Sequence, residues 1–199
     1  VRSLDSLRRD PGVDLPPCAH FLKIDTQGHE RSILRGAVEL LRREVVAVEA
    51  EVLFAPLYES QPVFRDIDTF MTGAGFTLFK LRRNEWVRST CAQRPQVSAG
   101  QLIFADALYL RDPLHRADAW QPEGPQALEA LILLALLYDL HDFALELIAA
   151  PRFAGLLDVE ALRRLVERRG RHLNSFRARG RMVRALWRAS DGEIGRAHG

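Results

Sequence analysis

The chain is predicted to be an α/β protein whose sheet ends on an antiparallel strand, followed by an all-helical C-terminal extension. Three observations predict this. Strand-like apolar runs alternate with helical periodicity up to about residue 112, Pro and Gly punctuate the changes, and no strand pattern recurs beyond Pro113.

The elements follow in order. Residues 3–9 carry Leu4 and Leu7 one turn apart and read as a short helix stopped before Pro11-Gly12. A strand over 20–25 ends on Asp25. A helix over 30–43 puts Ile33, Leu34, Ala37, Leu40 and Leu41 on one face and turns Arg35, Arg42 and Arg43 to water. The second strand, 45–52, is β-branched and almost continuously apolar until Glu49 and Glu51, the pattern of a strand covered on both faces. A loop with Pro56 and Pro62 leads to a helix over 63–72, striped by Phe64, Ile67, Phe70 and Met71 and closed near Gly73 and Gly75. A third strand over 76–81 and a fourth over 101–110 are expected to pair antiparallel across a polar stretch containing Trp86 and Pro95.

Residues 1–112 thus form one domain and 113–125, with Pro113, Pro122, Gly124 and Pro125, a linker. Residues 126–199 form a helical extension with a basic tail. It opens with a hairpin of helices over 126–138 and 142–149, turning at Leu140-His141, and continues with a helix capped by Asp158 and ended by Gly170.

Composition narrows the class. Hydrophobic residues at 47% and charged residues at 27% are ordinary for a globular chain with a sizeable core. The net charge of +2 conceals a basic end: over 160–199 eleven arginines meet only Glu160, Glu167, Asp191 and Glu193, a net of +7. The N-terminal segment lacks the apolar core of a signal peptide, and the apolar run over 130–138 is too short to cross a bilayer, so a cytoplasmic location is expected. Cys18 and Cys91 are far apart without ligand spacing, so idle thiols are expected rather than a disulfide, and no zinc or other metal site.

The chemistry concentrates in four carboxylates. Asp25 and Glu30 follow the first strand; Glu49 and Glu51 close the second. Neighbouring parallel strands lie about 4.8 Å apart, so these groups share one rim, where α/β sheets bind ligands. A carboxylate there can hold a hydroxyl or ammonium group, act as a general base, or help bind a metal. Equally, Glu30 can serve the helix N-terminus and Glu49 be a strand-face residue. His29 reads as a solvated or packed histidine rather than a base.

Three segments carry a family resemblance. Leu22-Lys23-Ile24-Asp25-Thr26-Gln27-Gly28-His29-Glu30 with Leu34-Arg35-Gly36-Ala37 is one, and 51–64, from Glu51-Val52-Leu53-Phe54 to Gln61-Pro62-Val63-Phe64, is another. The third is Gly75-Phe76-Thr77-Leu78-Phe79 with Gly100-Gln101-Leu102 and Asp106-Ala107-Leu108-Tyr109-Leu110; the opening Arg2-Ser3-Leu4-Asp5-Ser6-Leu7 also fits. In order and spacing they resemble the FkbM-type methyltransferases, which are S-adenosylmethionine-dependent and mostly O-methylate sugars and natural products. The resemblance implies a partial class I methyltransferase (Rossmann-like) sheet with S-adenosylmethionine as co-substrate and a sugar or glycan hydroxyl as acceptor.

Carried over residue by residue, it implies Asp25 and Glu51 as catalytic groups. Asp25, Gln27 and Gly28 would bind the cofactor; Glu30, Glu51 and Tyr58 would bind the acceptor. The glycine-rich turn that cradles the cofactor in such enzymes has no counterpart in 1–24, and the chain starts at Val1. The expectation is therefore the C-terminal half of a catalytic domain, inactive alone.

Two rivals stand beside this reading: a non-catalytic interaction or scaffold module derived from a truncated methyltransferase, and a metal-dependent hydrolase using Asp25, Glu30 and Glu51. The basic tail, with Val183, Leu186 and Trp187 at helical spacing, could touch a membrane surface or a protein weakly; no nucleic-acid motif accompanies it. More plainly, its apolar face docks on the helical hairpin and its arginines are solvated.

Overall fold

In the computed structural model, residues 1–57, 61–91, 98–117, 120, 124–156, 158–160, 162–164 and 166–167 are described, Cys91 by its backbone alone. The four apolar runs become strands β1 (Phe21–Ile24), β2 (Ala47–Leu53), β3 (Phe76–Trp86) and β4 (Gln101–Arg111), in sheet order β1-β2-β4-β3. β1 and β2 are parallel, with Lys23 beside Glu49; β4 runs antiparallel to both β2 and β3. The antiparallel final pair is thus as expected, and β1 ends at Ile24, one residue short of Asp25.

Period-two alternation sorts the sheet into two faces. Ile24, Val48, Ala50, Val52, Ala105, Ala107 and Tyr109 form the apolar face. They share a core with Leu34, Ala37, Leu40 and Leu41 and with Ile67 and Met71 of a later helix. The opposite face sets Lys23, Glu49, Glu51 and Asp106 among the buried apolar residues Ala47, Leu53, Leu108 and Leu110. β2 is thus covered on both faces, as expected, with Glu49 and Glu51 half-buried between Ala47 and Leu53; Val45 and Val46, which precede the strand, are buried as well.

The first predicted helix is α1 (Leu4–Arg8). The second is a break rather than a single helix: α2 (Glu30–Arg35) and α3 (Val38–Arg43) separate at Gly36-Ala37. The cause lies upstream. Asp5 of α1 accepts the Glu39 and Leu40 backbone N–H groups at 3.0 and 2.9 Å, while its own N–H donates to the Gly36 carbonyl at 2.9 Å. One side chain thus caps α3 from a distant stretch of sequence, which continuous 3.6-residue periodicity cannot reveal. α4 (Phe64–Gly73) follows, its start held by the Asp66 carboxylate accepting from the Val63 N–H at 3.0 Å. β3 outruns its expected end by five residues because its polar half is still laddered to β4, through irregularities at Leu78/Lys80 and Asn84/Glu85.

A buried arginine joins these layers. Arg111, at the end of β4, donates to the Leu41 and Ala74 carbonyls, both at 2.7 Å, and lies 3.9 Å from the Phe76 ring centroid. Those carbonyls terminate α3 and α4, so the guanidinium serves the negative ends of two helix dipoles.

The chain divides into two compact units, Val1–Leu131 and Ile132–Gly199, and the boundary falls within α5 (Pro125–Leu137). In the second unit α6 (His141–Ala149) buries Phe143, Ala144, Leu147 and Ile148. The helix predicted after Asp158 is present in its described part, with the Leu162 N–H donating to the Asp158 carbonyl at 3.1 Å. Its end at Gly170 and the basic tail lie outside the described residues. Among the described residues no helix is long and apolar enough to cross a membrane.

Candidate functional site

The second face of the sheet holds a row of charges set by strand register. Lys23 on β1 pairs with Glu49 on β2. Glu51 on β2 sits opposite Asp106 on β4, and Asp106 accepts from Arg82 of β3 at 2.9 Å from Nε and 2.7 Å from Nη2. The two outer carboxylates are therefore matched by cations. Among the described residues Asp25 and Glu51 make no ion pair, and they face each other across the gap between the β1 and β2 ends.

Gln27 fills that gap. Its side-chain amide donates to Asp25 Oδ1 and to Glu51 Oε2, each at 3.4 Å. These are long hydrogen bonds, easily given up to a ligand. The backbone beneath is held in an uncommon shape, with Gln27 at φ 55° and Gly28 at φ 105°. Left-handed backbone at a residue other than glycine costs energy and marks positions that the surroundings impose.

What imposes it is Glu30, only 1% exposed at the start of α2. Its Oε1 accepts from the Thr26 N–H at 2.9 Å, the Thr26 hydroxyl at 3.0 Å and the Gly28 N–H at 3.2 Å, while Oε2 accepts from the Gly28 N–H at 3.0 Å. Its oxygens thus build the loop, and the helix N-terminus stabilises its charge.

The second rim follows β2. Phe54 stacks on Phe64 with ring centroids 5.1 Å apart, and the Phe54 N–H donates to the Ile103 carbonyl at 2.8 Å. Gln61 reaches back from the start of α4: its Oε1 accepts from the Leu57 N–H at 3.0 Å, and a Cβ on Gly28 would meet its Nε2 at 2.8 Å. Tyr58, expected on this rim, lies outside the described residues.

Electrostatics single out Glu51. Burial raises its carboxyl above the ordinary glutamate range, and the charges of Asp25, Glu30 and Asp106 raise it further against the opposing pull of Lys23. Lys23 is pushed up, chiefly by its hydrogen bond to Glu49. A half-buried carboxylate with raised proton affinity, beside an exposed one, is suited to accept a proton from a bound hydroxyl.

The structure therefore brings together Asp25, Gln27, Gly28 and Glu51, places Glu30 behind them, and adds Asp106 and Gln61, which the sequence reading did not single out. Asp106 follows from register alone, since it shares a face with Glu51 only once β4 is aligned on β2. Among the described residues no group of acidic, histidine or cysteine side chains is arranged to hold a metal ion. Two surface cavities of about 240 and 360 Å³, one beside Asp5 and Arg8 and one between Val38 and Phe70, contain none of these residues.

The carboxylates at the ends of the parallel strands occupy the position where open α/β sheets generally bind ligands. More particularly, residues 1–78 of the 199 match the family model described as the Methyltransferase FkbM domain, so this stretch is similar to the FkbM methyltransferases. The match spans α1 through the start of β3 and includes Asp25, Gln27, Gly28, Glu30 and Glu51. No curated protein and no solved structure matches the chain.

Proposed function

We propose that this chain supplies the acceptor side of an S-adenosylmethionine-dependent O-methyltransferase of the FkbM type, acting on a sugar or glycan hydroxyl. The observation that carries the reading is the Gln27 amide lying between Asp25 and Glu51, in a segment matched by the family model. Hydroxyl-rich acceptors suit this arrangement, because paired carboxylates accept hydrogen bonds from vicinal hydroxyls and Gln27 can swing away to admit them.

Asp25 and Glu51 also fit the positive charge of a sulfonium donor, which would contribute an electrophilic methyl group. The loop at Gln27 and Gly28 fits less well as a nucleotide cradle, since the Gly28 N–H is already given to Glu30. We therefore assign the cradle to strands beyond β1, which pairs only with β2 among the described residues. Those strands could come from the same polypeptide or a second one. In the reaction, Glu51 accepts the acceptor proton while Asp25 orients the hydroxyl, and Glu30 and Gly28 keep the loop in shape.

Calorimetric titration of the purified chain with S-adenosylmethionine tests the division of labour. The expected result is no micromolar binding by these residues alone. Transfer of a labelled methyl to a glycan should appear on co-expression with a polypeptide carrying a strand and a glycine-rich turn. Asp25→Asn or Glu51→Gln should then lower it by about 10²- to 10⁴-fold, the usual contribution of a positioned acid or base. Micromolar binding by the chain alone would overturn the assignment of the cradle. Undiminished transfer in both variants would overturn the site. A complex that forms but never transfers methyl would favour the scaffold reading.

A further inference from the structure

Sheet register brings Asp25 and Glu51 together, but the Gln27 amide between them belongs to the loop after β1, which must be held in place from elsewhere. Three observations converge on one side chain. The Gln61 carboxamide is packed so closely over Gly28 that even a methyl group there would meet Nε2 at 2.8 Å, Cγ at 3.3 Å and Cδ at 3.4 Å. The other end of the same amide group accepts the Leu57 N–H at 3.0 Å, tying it to the loop that follows β2. Gly28, in turn, lies next to Gln27, whose left-handed backbone aims its amide between the two carboxylates.

We infer that Gln61 is a positioning residue, a spacer that holds the β1 loop at Gln27 and Gly28 against the loop after β2 and so keeps the Gln27 amide between Asp25 and Glu51. It acts through Gly28 and Gln27. Glutamine suits the task because its planar end presents a flat face to a glycine and an acceptor to a backbone N–H at once. A shorter side chain would leave a void over Gly28; an apolar one of equal length would leave the Leu57 N–H without its partner. That this placement matters for methyl transfer rests on the function proposed above, whereas the spacer itself does not, so the two can fail separately.

The test uses the full chain without cofactor or acceptor. Gln61→Ala and Gln61→Met are compared with the parent by two NMR readouts: amide hydrogen exchange at Leu57 and Gly28, and the carboxyl titration of Glu51. In both variants Leu57 should exchange about fivefold faster or more, as expected for a lost hydrogen bond. With the loops released, water reaches the crevice, and the Glu51 titration should move down toward the ordinary glutamate range. The groups governing that titration are Asp25, Glu30, Asp106 and Lys23, none of which is altered. Gln61→Met preserves volume, so it reports even if Gln61→Ala fails to fold. A folded Gln61→Met with parental Glu51 titration and parental Leu57 exchange overturns the inference. Faster Leu57 exchange with an unmoved Glu51 also overturns it, leaving Gln61 merely a loop staple.

Discussion

Replacing Arg111 by methionine asks whether a buried cation with no carboxylate partner among the described residues holds this sheet to its helices. The side chain is 1% exposed, and burial with the nearby charge of Arg116 pulls its proton affinity down to about 10, so it remains charged at neutral pH. Each helix end offers roughly half a negative charge, so the ends of α3 and α4 together supply about the countercharge that one guanidinium needs. Removing the guanidinium strands the Leu41 and Ala74 carbonyls at about 1–3 kcal/mol each and forfeits a desolvated cation–π contact of about 2 kcal/mol. Against this, the desolvation of a buried ion, several kcal/mol, is no longer incurred. The balance leaves Arg111→Met less stable by about 3 kcal/mol, measurable as a lower urea midpoint by circular dichroism with the slope unchanged. Arg111→Lys should recover little of the loss, because one ammonium cannot span both carbonyls. A methionine variant as stable as the parent, or more so, would show that desolvation outweighs the dipoles and refute the reasoning.

Two other perturbations probe the crevice. Glu51 has a carboxyl raised above its ordinary value of 4.5, so the native state holds its proton more tightly than the unfolded chain. Stability from this group therefore falls as pH climbs from 4.5 through the raised value, and the full penalty persists above it. Glu51→Gln should accordingly raise the melting temperature at neutral pH and lose that advantage below the ordinary glutamate value; an equal effect at both would refute the assignment. Glu30→Gln keeps the shape but loses the charge that gathers the Thr26 and Gly28 N–H groups. It should cost about 1–2 kcal/mol and speed amide exchange at Gly28; unchanged exchange there would mean the loop does not depend on that carboxylate.

Much of this fold was legible because period-two and 3.6-residue patterns report which face is dry. The apolar stripes of α4 and the strand segments at Phe21 and Ala47 required nothing more. Asp25 and Glu51 could be placed on one rim because both sit at the ends of parallel strands. Three things escaped. The break at Gly36-Ala37 depends on Asp5, a long-range cap that local periodicity cannot encode. The outer half of β3 is polar because its side chains face water, and composition alone reads such a strand as loop. Gln61 looks like a surface polar residue, and only the backbone group it satisfies reveals its work.

The Asp5 contact also sets where the polypeptide can be cut or spliced. Because one carboxylate supplies the opening hydrogen bonds of α3, the short leading helix and the α2–α3 pair form one heritable piece. A chimera or circular permutant joined between positions 9 and 29 would keep the sheet's sequence intact yet rely on that carboxylate finding its mate across a new junction. Exchange of modules among relatives should therefore respect the leading helix as firmly as the strands it precedes.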